Sequence, residues 1–120
     1  SYEYRDERLV AVDYYRIPEK VQGIAFDVTG NVYLSTSYGR EKSSYLKIYD
    51  NVDALGKAPD KPMIKVEMPP CSEEICMSDG KVYVLFESAS RKYFEGTDGR
   101  GRSIAPIDKI LTIEVASVLY

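Results

Sequence analysis

The segment Gly30-Asn31-Val32-Tyr33 returns 50 residues later as Gly80-Lys81-Val82-Tyr83. In both copies a turn glycine is followed by a stretch in which apolar and polar residues alternate. Glycine supplies the positive φ of a tight hairpin, and alternation with a period of two is typical of a β-strand. The sequence therefore predicts two copies of one hairpin, and a fold built from a repeat.

The repeat extends to both sides of this hairpin. Upstream, Ile17-Pro18 returns as Met68-Pro69 at a distance of 51 residues. Downstream, Leu46-Lys47-Ile48 matches Leu111-Thr112-Ile113 at a distance of 65 residues. Each unit is thus predicted to hold four strands in the same order. Besides the two Val-Tyr strands, the predicted strands cover residues 9–17, 24–26, 45–49, 63–68, 75–77 and 109–115.

An all-β fold of this kind is typical of a β-propeller, whose four-stranded blades repeat at roughly 40 to 50 residues. The strand phase is offset, since residues 1–17 read as an outer strand that completes another blade. Residues 18–69 then form the first blade-like repeat and residues 70–120 the second, with a long loop over 92–108. The sequence therefore predicts a propeller fragment of two blades with permuted strand phase, in which strand 9–17 has no sequence-local partner.

Two blades cannot close a ring, because propellers have about four to eight blades. The partners expected from the sequence are the remaining blades, supplied either by symmetric copies, such as a trimer with six blades, or by another chain segment. The alternating residues Val32, Leu34, Val82, Val84 and Phe86 are expected to exceed what two sheets alone can bury. The isolated chain should then self-associate or require a partner.

Several segments resemble the closing part of uncharacterised secreted bacterial proteins of the six-bladed gluconolactonase-like or strictosidine-synthase-like propeller type. The resembling segments cover residues 21–26, 33–40, 44–46, 69–75, 85–89 and 106–110. The resemblance implies a secreted or envelope-associated location, extracellular or in the cell envelope. Enzymes of the gluconolactonase kind hold a divalent metal with ligands from several blades, and that ligand set has no match in these two repeats.

Composition excludes several classes of function. The 120 residues carry a net charge of −3, with 16 basic and 19 acidic residues and no long run of either sign. This balance argues against a nucleic-acid surface, and no stretch reaches the roughly 18 to 20 apolar residues of a membrane span. The chain contains no histidine, which excludes Ser-His and Cys-His catalysis within it.

Candidate site residues lie first at the entries to the inner strands. Gln22, Glu73 and Glu74 are expected near the propeller axis, with one of the two adjacent glutamates facing the channel because neighbours on a strand point to opposite faces. Glu73 and Glu74 are candidate ligands for calcium, which prefers several oxygen ligands. The alternative is that these side chains hydrogen-bond neighbouring loop amides.

A second cluster is predicted at the ends of the Val-Tyr strands. Ser37, Tyr38, Arg40 and Glu87 could hydrogen-bond a sugar or clamp a carboxylate. The alternative is a strand-end turn in which the serines satisfy backbone groups. The related polar residues of this cluster are Ser35, Ser88, Ser90 and Arg91.

The function that fits these features is a non-catalytic β-propeller scaffold or binding module. Two alternatives stay open: part of a metal-dependent hydrolase or lactonase, and a trimeric sugar-binding propeller. Tyr33 and Tyr83 occupy equivalent positions in the repeat and are expected to pack between blades. Cys71 and Cys76 are expected to be unpaired thiols, unless the loop over residues 71–74 folds back to bring them together.

Overall fold

The computed structural model describes residues 2–87, 95–96, 99 and 107–119. Over these residues the fold is mostly β, as the alternating pattern predicts, with three antiparallel sheets of which none is closed. A hairpin comes first, then a four-stranded sheet in chain order, then a three-stranded sheet in chain order. The elements are β1 (Tyr2–Arg5), β2 (Arg8–Ala11), β3 (Val21–Phe26), β4 (Val32–Thr36), β5 (Ser44–Tyr49), α1 (Val52–Lys57), β6 (Ile64–Met68), β7 (Ser72–Ser78), β8 (Lys81–Phe86), β9 (Leu111–Glu114) and α2 (Val115–Leu119).

The N-terminal strand differs from its prediction. The strand expected over residues 9–17 is only the four-residue β2, and it pairs locally with β1, from Tyr2 opposite Ala11 to Arg5 opposite Arg8. The expectation of no sequence-local partner is therefore wrong. Asp6 and Glu7 form the connecting turn at φ values of 51° and 61°. Because this left-handed turn is made without glycine, it lacks the usual sequence signal of a two-residue hairpin.

The β3–β4 and β7–β8 hairpins share an irregularity in register. In the first, Val21 pairs with Thr36 and Ile24 with Leu34, so that two residues of β3 face one residue of β4. In the second, the pairs Ser72–Phe86 and Ile75–Val84 leave two residues of β7 facing one of β8. Both hairpins therefore carry a β-bulge at the same repeat position, a feature that bends a strand and re-aims its side chains.

The third match of the repeat is wrong by one residue. Leu46 pairs with Ser35, whereas its match Leu111 pairs with Val84. Val84 corresponds to Leu34, which lies on the face of β4 opposite to Ser35. The distance that preserves the faces is therefore 64 residues, not 65. A slip of one residue leaves a Leu-x-Ile pattern intact but moves its side chains to the other face of the sheet.

The two larger sheets pack face to face around the main core. From the four-stranded sheet this core takes Ala25, Tyr33, Leu46, Ile48 and Met68. From the three-stranded sheet the core takes residues whose repeat counterparts lie on the opposite face of the four-stranded sheet. These are Ile75, Val82, Val84 and Phe86, with Val115 of α2.

This packing is head to tail. Val82 and Val84 correspond to Val32 and Leu34, which lie on the far face of the four-stranded sheet in a second cluster with Tyr49 and Leu55 of α1. The face that one sheet uses in the interface is therefore the opposite of the face that the other uses.

The apolar residues that were expected to exceed what two sheets can bury are all buried. Val82, Val84 and Phe86 lie between the sheets, and α1 covers Val32 and Leu34. The sequence pattern did not predict α1, so its contribution to burial was missed. Among the described residues, no helix is long and apolar enough to cross a membrane. Most of the predicted loop over residues 92–108 lies outside the described residues.

Candidate functional site

A cleft of about 750 Å³ opens between the two larger sheets, at the end where β3 and β7 begin. We call it the bulge cleft, because the bulges of both strands lie at its edge. It brings together six of the seven residues that the sequence nominated for ligand binding. These are Gln22, Ser37, Tyr38, Arg40, Glu73 and Glu87.

The bulges position two of these side chains. Gln22 lies in the bulge of β3 and Glu73 in the bulge of β7. The neighbouring Gly23 lets the strands approach closely, since a Cβ there would lie 2.8 Å from the backbone oxygen of Glu73. The side-chain amide of Gln22 donates to the backbone oxygen of Lys20 at 3.5 Å, and the same oxygen accepts from the backbone amide of Ser37 at 3.1 Å. The entry to β3 is thereby tied to the end of β4.

Glu73 and Glu74 point in different directions. Glu73 lines the bulge cleft, while an Oε1 oxygen of Glu74 accepts from the backbone amide of Ile75 at 3.0 Å and lies beside Gly23. Glu74 is the one predicted ligand-binding residue that does not line the cleft. Its contact matches the alternative reading, in which these side chains hydrogen-bond backbone amides.

Glu73 forms a carboxyl pair with Glu87 across the β7–β8 hairpin. Burial raises the pKa of Glu73, and the hydrogen bond to Glu87 and the negative charges of Glu87 and Glu74 raise it further. The backbone amide of Glu87 also donates to the Cys71 oxygen at 2.9 Å, which fixes the end of β8 beside the entry to β7. The close approach of the two carboxyl groups therefore favours the protonated form of Glu73.

Tyr38 connects the cleft to a group of aromatic and cationic side chains on β5 and β6. Its ring meets that of Tyr45 edge to face at 6.2 Å, and Lys47 Nζ donates to its hydroxyl oxygen at 2.9 Å. Lys65 Nζ lies 4.2 Å from the centre of the Tyr45 ring. Burial is the largest single influence and opposes ionisation of Tyr38, but the hydrogen bonds with Lys47 and Thr36 and the positive charges of Lys47 and Lys65 together outweigh it and lower the pKa of the phenol. Tyr38 is thus held in a defined orientation.

Sequence reasoning missed several residues of the cleft. Lys20, Glu41, Lys42 and Cys71 also line it. Lys20 and Cys71 both have positive φ values, 64° and 70°, which mark the sharp entries to β3 and β7. No local pattern indicated these turns, because neither contains glycine. Cys71 is buried, and neither it nor the exposed Cys76 forms a disulfide, in agreement with the expectation of unpaired thiols.

Ser35 of the second predicted cluster has a structural role. It is fully buried, and its hydroxyl donates to the Ser72 hydroxyl at 2.7 Å. The Ser72 hydroxyl in turn approaches the backbone oxygen of Thr36 at 3.4 Å. These contacts link the two sheets beneath the cleft. Ser88, Ser90 and Arg91 lie outside the described residues.

Within the described part of the chain, no group of three or more His, Cys, Asp or Glu side chains is arranged to hold a metal ion. Calcium binding by Glu73 and Glu74 stays a prediction. Comparison with protein-family models, curated proteins and solved structures finds no match to this chain.

Proposed function

We propose that the chain is a non-catalytic scaffold and binding module of a β-propeller assembly, and that it holds a small polar ligand in the bulge cleft. The observation that carries the proposal is the convergence on one cleft of residues from both repeats. Gln22 and Glu73 come from the bulges, Arg40 from the loop between β4 and β5, and Glu87 from the end of β8. A ligand there would contact both sheets at once.

The cleft holds both basic and acidic side chains, and its basic groups suit a hydroxylated ligand that bears a carboxylate. Lys20, Arg40 and Lys42 supply cationic groups, and a guanidinium can bind a carboxylate through two hydrogen bonds. The side-chain amide of Gln22 and the carboxyl groups of Glu73 and Glu87 offer donors and acceptors suited to hydroxyl groups. A sugar acid combines both kinds of group, which fits the sugar or carboxylate chemistry indicated by the sequence.

The propeller part of the proposal rests on the open faces left by head-to-tail packing. Tyr83 is half-buried, although the corresponding Tyr33 is fully buried. At the other end, Ile24 is 46% exposed, although the corresponding Ile75 is only 4% exposed. Each end therefore keeps exposed apolar residues, although α1 already covers Val32 and Leu34 at the four-stranded end. Further blades, supplied by symmetric copies or by another chain segment, would cover the residues that α1 leaves exposed.

The location follows from the same proposal. The proteins that the sequence resembles are secreted, and we accordingly propose an extracellular or cell-envelope location. The metal-dependent hydrolase or lactonase and the trimeric sugar-binding propeller stay alternatives to the non-catalytic module.

Ligand binding is tested by calorimetric titration with glucuronate and, as a neutral counterpart, glucose. We expect glucuronate to bind more tightly than glucose, because only glucuronate offers a carboxylate to Arg40. The variant Arg40→Gln should weaken glucuronate binding by roughly tenfold, the effect of about 1.4 kcal/mol from a charged hydrogen bond. Arg8→Gln, at an exposed position in β2, is the matched control and should leave binding unchanged. Equal weakening by both variants, or no binding of glucuronate, would contradict the assignment of the cleft.

A further inference from the structure

The free edge of the three-stranded sheet is the surface from which an interaction can be argued in most detail. Among the described residues, β9 pairs with β8 on one side and has no strand on the other. In the four-stranded sheet the corresponding strand is β5, and its outer side is covered by β6. Over its described residues, the second repeat therefore has no counterpart of β6.

The chain contains a segment that matches the missing strand. β6 ends at Met68, directly before Pro69, and Ile17-Pro18 is the corresponding pair in the repeat. Residues 13–17 thus correspond to β6, but they belong to no sheet in the structure. Tyr14 is 80% exposed and Ile17 is 54% exposed, so two large apolar side chains of this segment face solvent.

Residues 13–17 cannot pair with β9 of the same chain without leaving their present position. A Cβ on Gly56 of α1 would lie 3.6 Å from the Tyr15 ring, which places Tyr15 beside α1. Helix α1 covers the face of the four-stranded sheet that points away from the three-stranded sheet. The segment and the edge of β9 therefore lie on opposite sides of the four-stranded sheet.

We propose that residues 12–15 of a second copy of this chain add to the edge of β9 as its fourth strand. The inference rests on the proposed assembly and names the segment and the register that join the copies. An extended segment that adds to an exposed sheet edge gains main-chain hydrogen bonds along its length. It also covers an edge that would otherwise promote unspecific association.

The register follows from the first repeat. There Ile64 pairs with Ile48 and Lys65 with Lys47. With distances of 51 residues for the added strand and 64 for the strand that receives it, Asp13 lies opposite Thr112 and Tyr14 opposite Leu111. Tyr14 then joins the face of Leu111 and Ile113, which are half-buried at the margin of the main core. The pairing ends before Arg16 and Lys109, where like charges would lie opposite each other.

The experiment traps this register with a disulfide between two singly substituted chains. Cys76→Ser is introduced in every chain to remove the exposed native thiol. A chain with Asp13→Cys, labelled with ¹⁵N, is mixed with an unlabelled chain carrying Thr112→Cys, and mass spectrometry measures the mixed disulfide after mild oxidation. Both positions are exposed, and the far-UV circular dichroism of each variant confirms that its fold is retained.

The matched control pairs Asp13→Cys with Glu114→Cys, two residues further along β9 on the same exposed face. Directly opposite residues have Cα atoms about 4.5 to 5.5 Å apart, while a shift by two residues increases this to about 8 Å. We expect at least about fivefold more mixed disulfide from the Thr112 pair, because Cα atoms more than about 7 Å apart cannot be bridged without backbone movement. An excess of a synthetic peptide of residues 10–18 should reduce this yield, and a scrambled peptide should not.

Light scattering on the parent chain tests the assembly separately from the edge pairing. If the chain assembles but the two cysteine pairs give equal yields, the edge pairing is wrong while the assembly stands. If the chain is a stable monomer and no mixed disulfide forms above the control, both are overturned. A mixed disulfide specific to the Thr112 pair, reduced by the peptide, supports the proposed register.

Discussion

Asp27 organises the turn between β3 and β4. Its carboxylate accepts hydrogen bonds from the Thr29 amide and hydroxyl at 2.9 and 2.7 Å, from the Asn31 amide at 3.0 Å and from the buried Tyr33 hydroxyl at 2.8 Å. Burial opposes ionisation, but the hydrogen bonds from Thr29, Tyr33 and Asn31 outweigh it and lower the pKa of Asp27 to about 2. One charged side chain thus links the turn to the core.

Asp27→Asn should lower the free energy of unfolding by about 1 to 2 kcal/mol at neutral pH, because charge-assisted hydrogen bonds become neutral ones. Since the pKa of Asp27 is depressed in the folded chain, its contribution is present above about pH 4 and is lost as the pH falls towards 2. Urea unfolding at pH 7 and pH 3 measures both effects. Asp60→Asn, at an exposed position after α1, is the control. An equal small effect of both substitutions would contradict this role.

The Glu73–Glu87 pair should have the opposite pH dependence. Because the pKa of Glu73 is raised in the folded chain, the folded state is favoured at low pH and loses stability as the pH rises above about 4.5 through the raised value. Glu73→Gln should therefore raise the melting temperature at pH 7 and give no gain at pH 4. The gain should stay below about 1 kcal/mol, since solvent screens a partly exposed pair. Thermal unfolding of this variant and of Glu19→Gln, an exposed control, tests the sign; destabilisation by Glu73→Gln at pH 7 would contradict it.

At the scale of the elements, the fold depends on the close approach of β3 and β7. The bulge in each strand opens the ladder locally, and the buried Ser35 and Ser72 hydroxyls join the sheets beside it. Gly23 occupies the point where β3 contacts the backbone of β7, so that its missing side chain is a condition of the packing. The same approach brings Gln22 and Glu73 into one cleft.

Gly23→Ala should destabilise the chain by about 1 to 3 kcal/mol, the usual cost of overpacking, because the new Cβ would lie 2.8 Å from a backbone oxygen that cannot rotate away. Gly56→Ala offers a matched control within α1, where the Cβ would contact the Tyr15 ring at an ordinary 3.6 Å. That substitution should stabilise the chain by roughly 0.5 to 1 kcal/mol through helix propensity. Guanidinium unfolding of the two variants gives the comparison, and a neutral Gly23→Ala would show that the strands can separate without cost.

At the scale of the whole molecule, the proposed association rests on apolar residues that stay exposed at the two outer faces of the sheets. Phe26 is 51% exposed at one end and Leu85 is 52% exposed at the other. The β1–β2 hairpin adds exposed tyrosines, with Tyr2 at 64% and Tyr4 at 70%. Complete burial of a large apolar side chain contributes about 1.5 to 3 kcal/mol, so covering these faces would be a substantial gain against a total stability of roughly 5 to 15 kcal/mol.

We expect sedimentation and light scattering to show species larger than one 13.6 kDa chain at low micromolar concentration, with a melting temperature that rises with protein concentration. Leu85→Asp should shift the distribution towards the monomer, because it places a charge on the open face. Val28→Asp, in the fully exposed β3–β4 turn, is the control and should leave the mass unchanged. A cooperative transition of a strictly monomeric parent chain would contradict the assembly.

Local signals account for the features that the sequence could predict. Alternation specified the strands around Val32 and Val82, and glycine marked the turns before them, because backbone preference and side-chain spacing act over a few residues. The proximity of two residues of the bulge cleft could be predicted for a similar reason. Gln22 and Glu73 hold the same position in the repeat, so their proximity followed once the two units were expected to stack.

The sequence by itself determined the β character of the chain and the spacing of its repeated hairpin, and it nominated, in two separate clusters, the six residues that share a cleft. Only the tertiary structure decided the register of β9, the pairing of β2 with β1 and the carboxyl pair of Glu73 and Glu87. The register depends on which face of β9 is buried against Val82, and the hairpin depends on a left-handed turn without glycine. The carboxyl pair depends on strands whose ends meet across the β7–β8 hairpin. Each is fixed by contacts between segments, and a periodic pattern within one segment carries no information about such contacts.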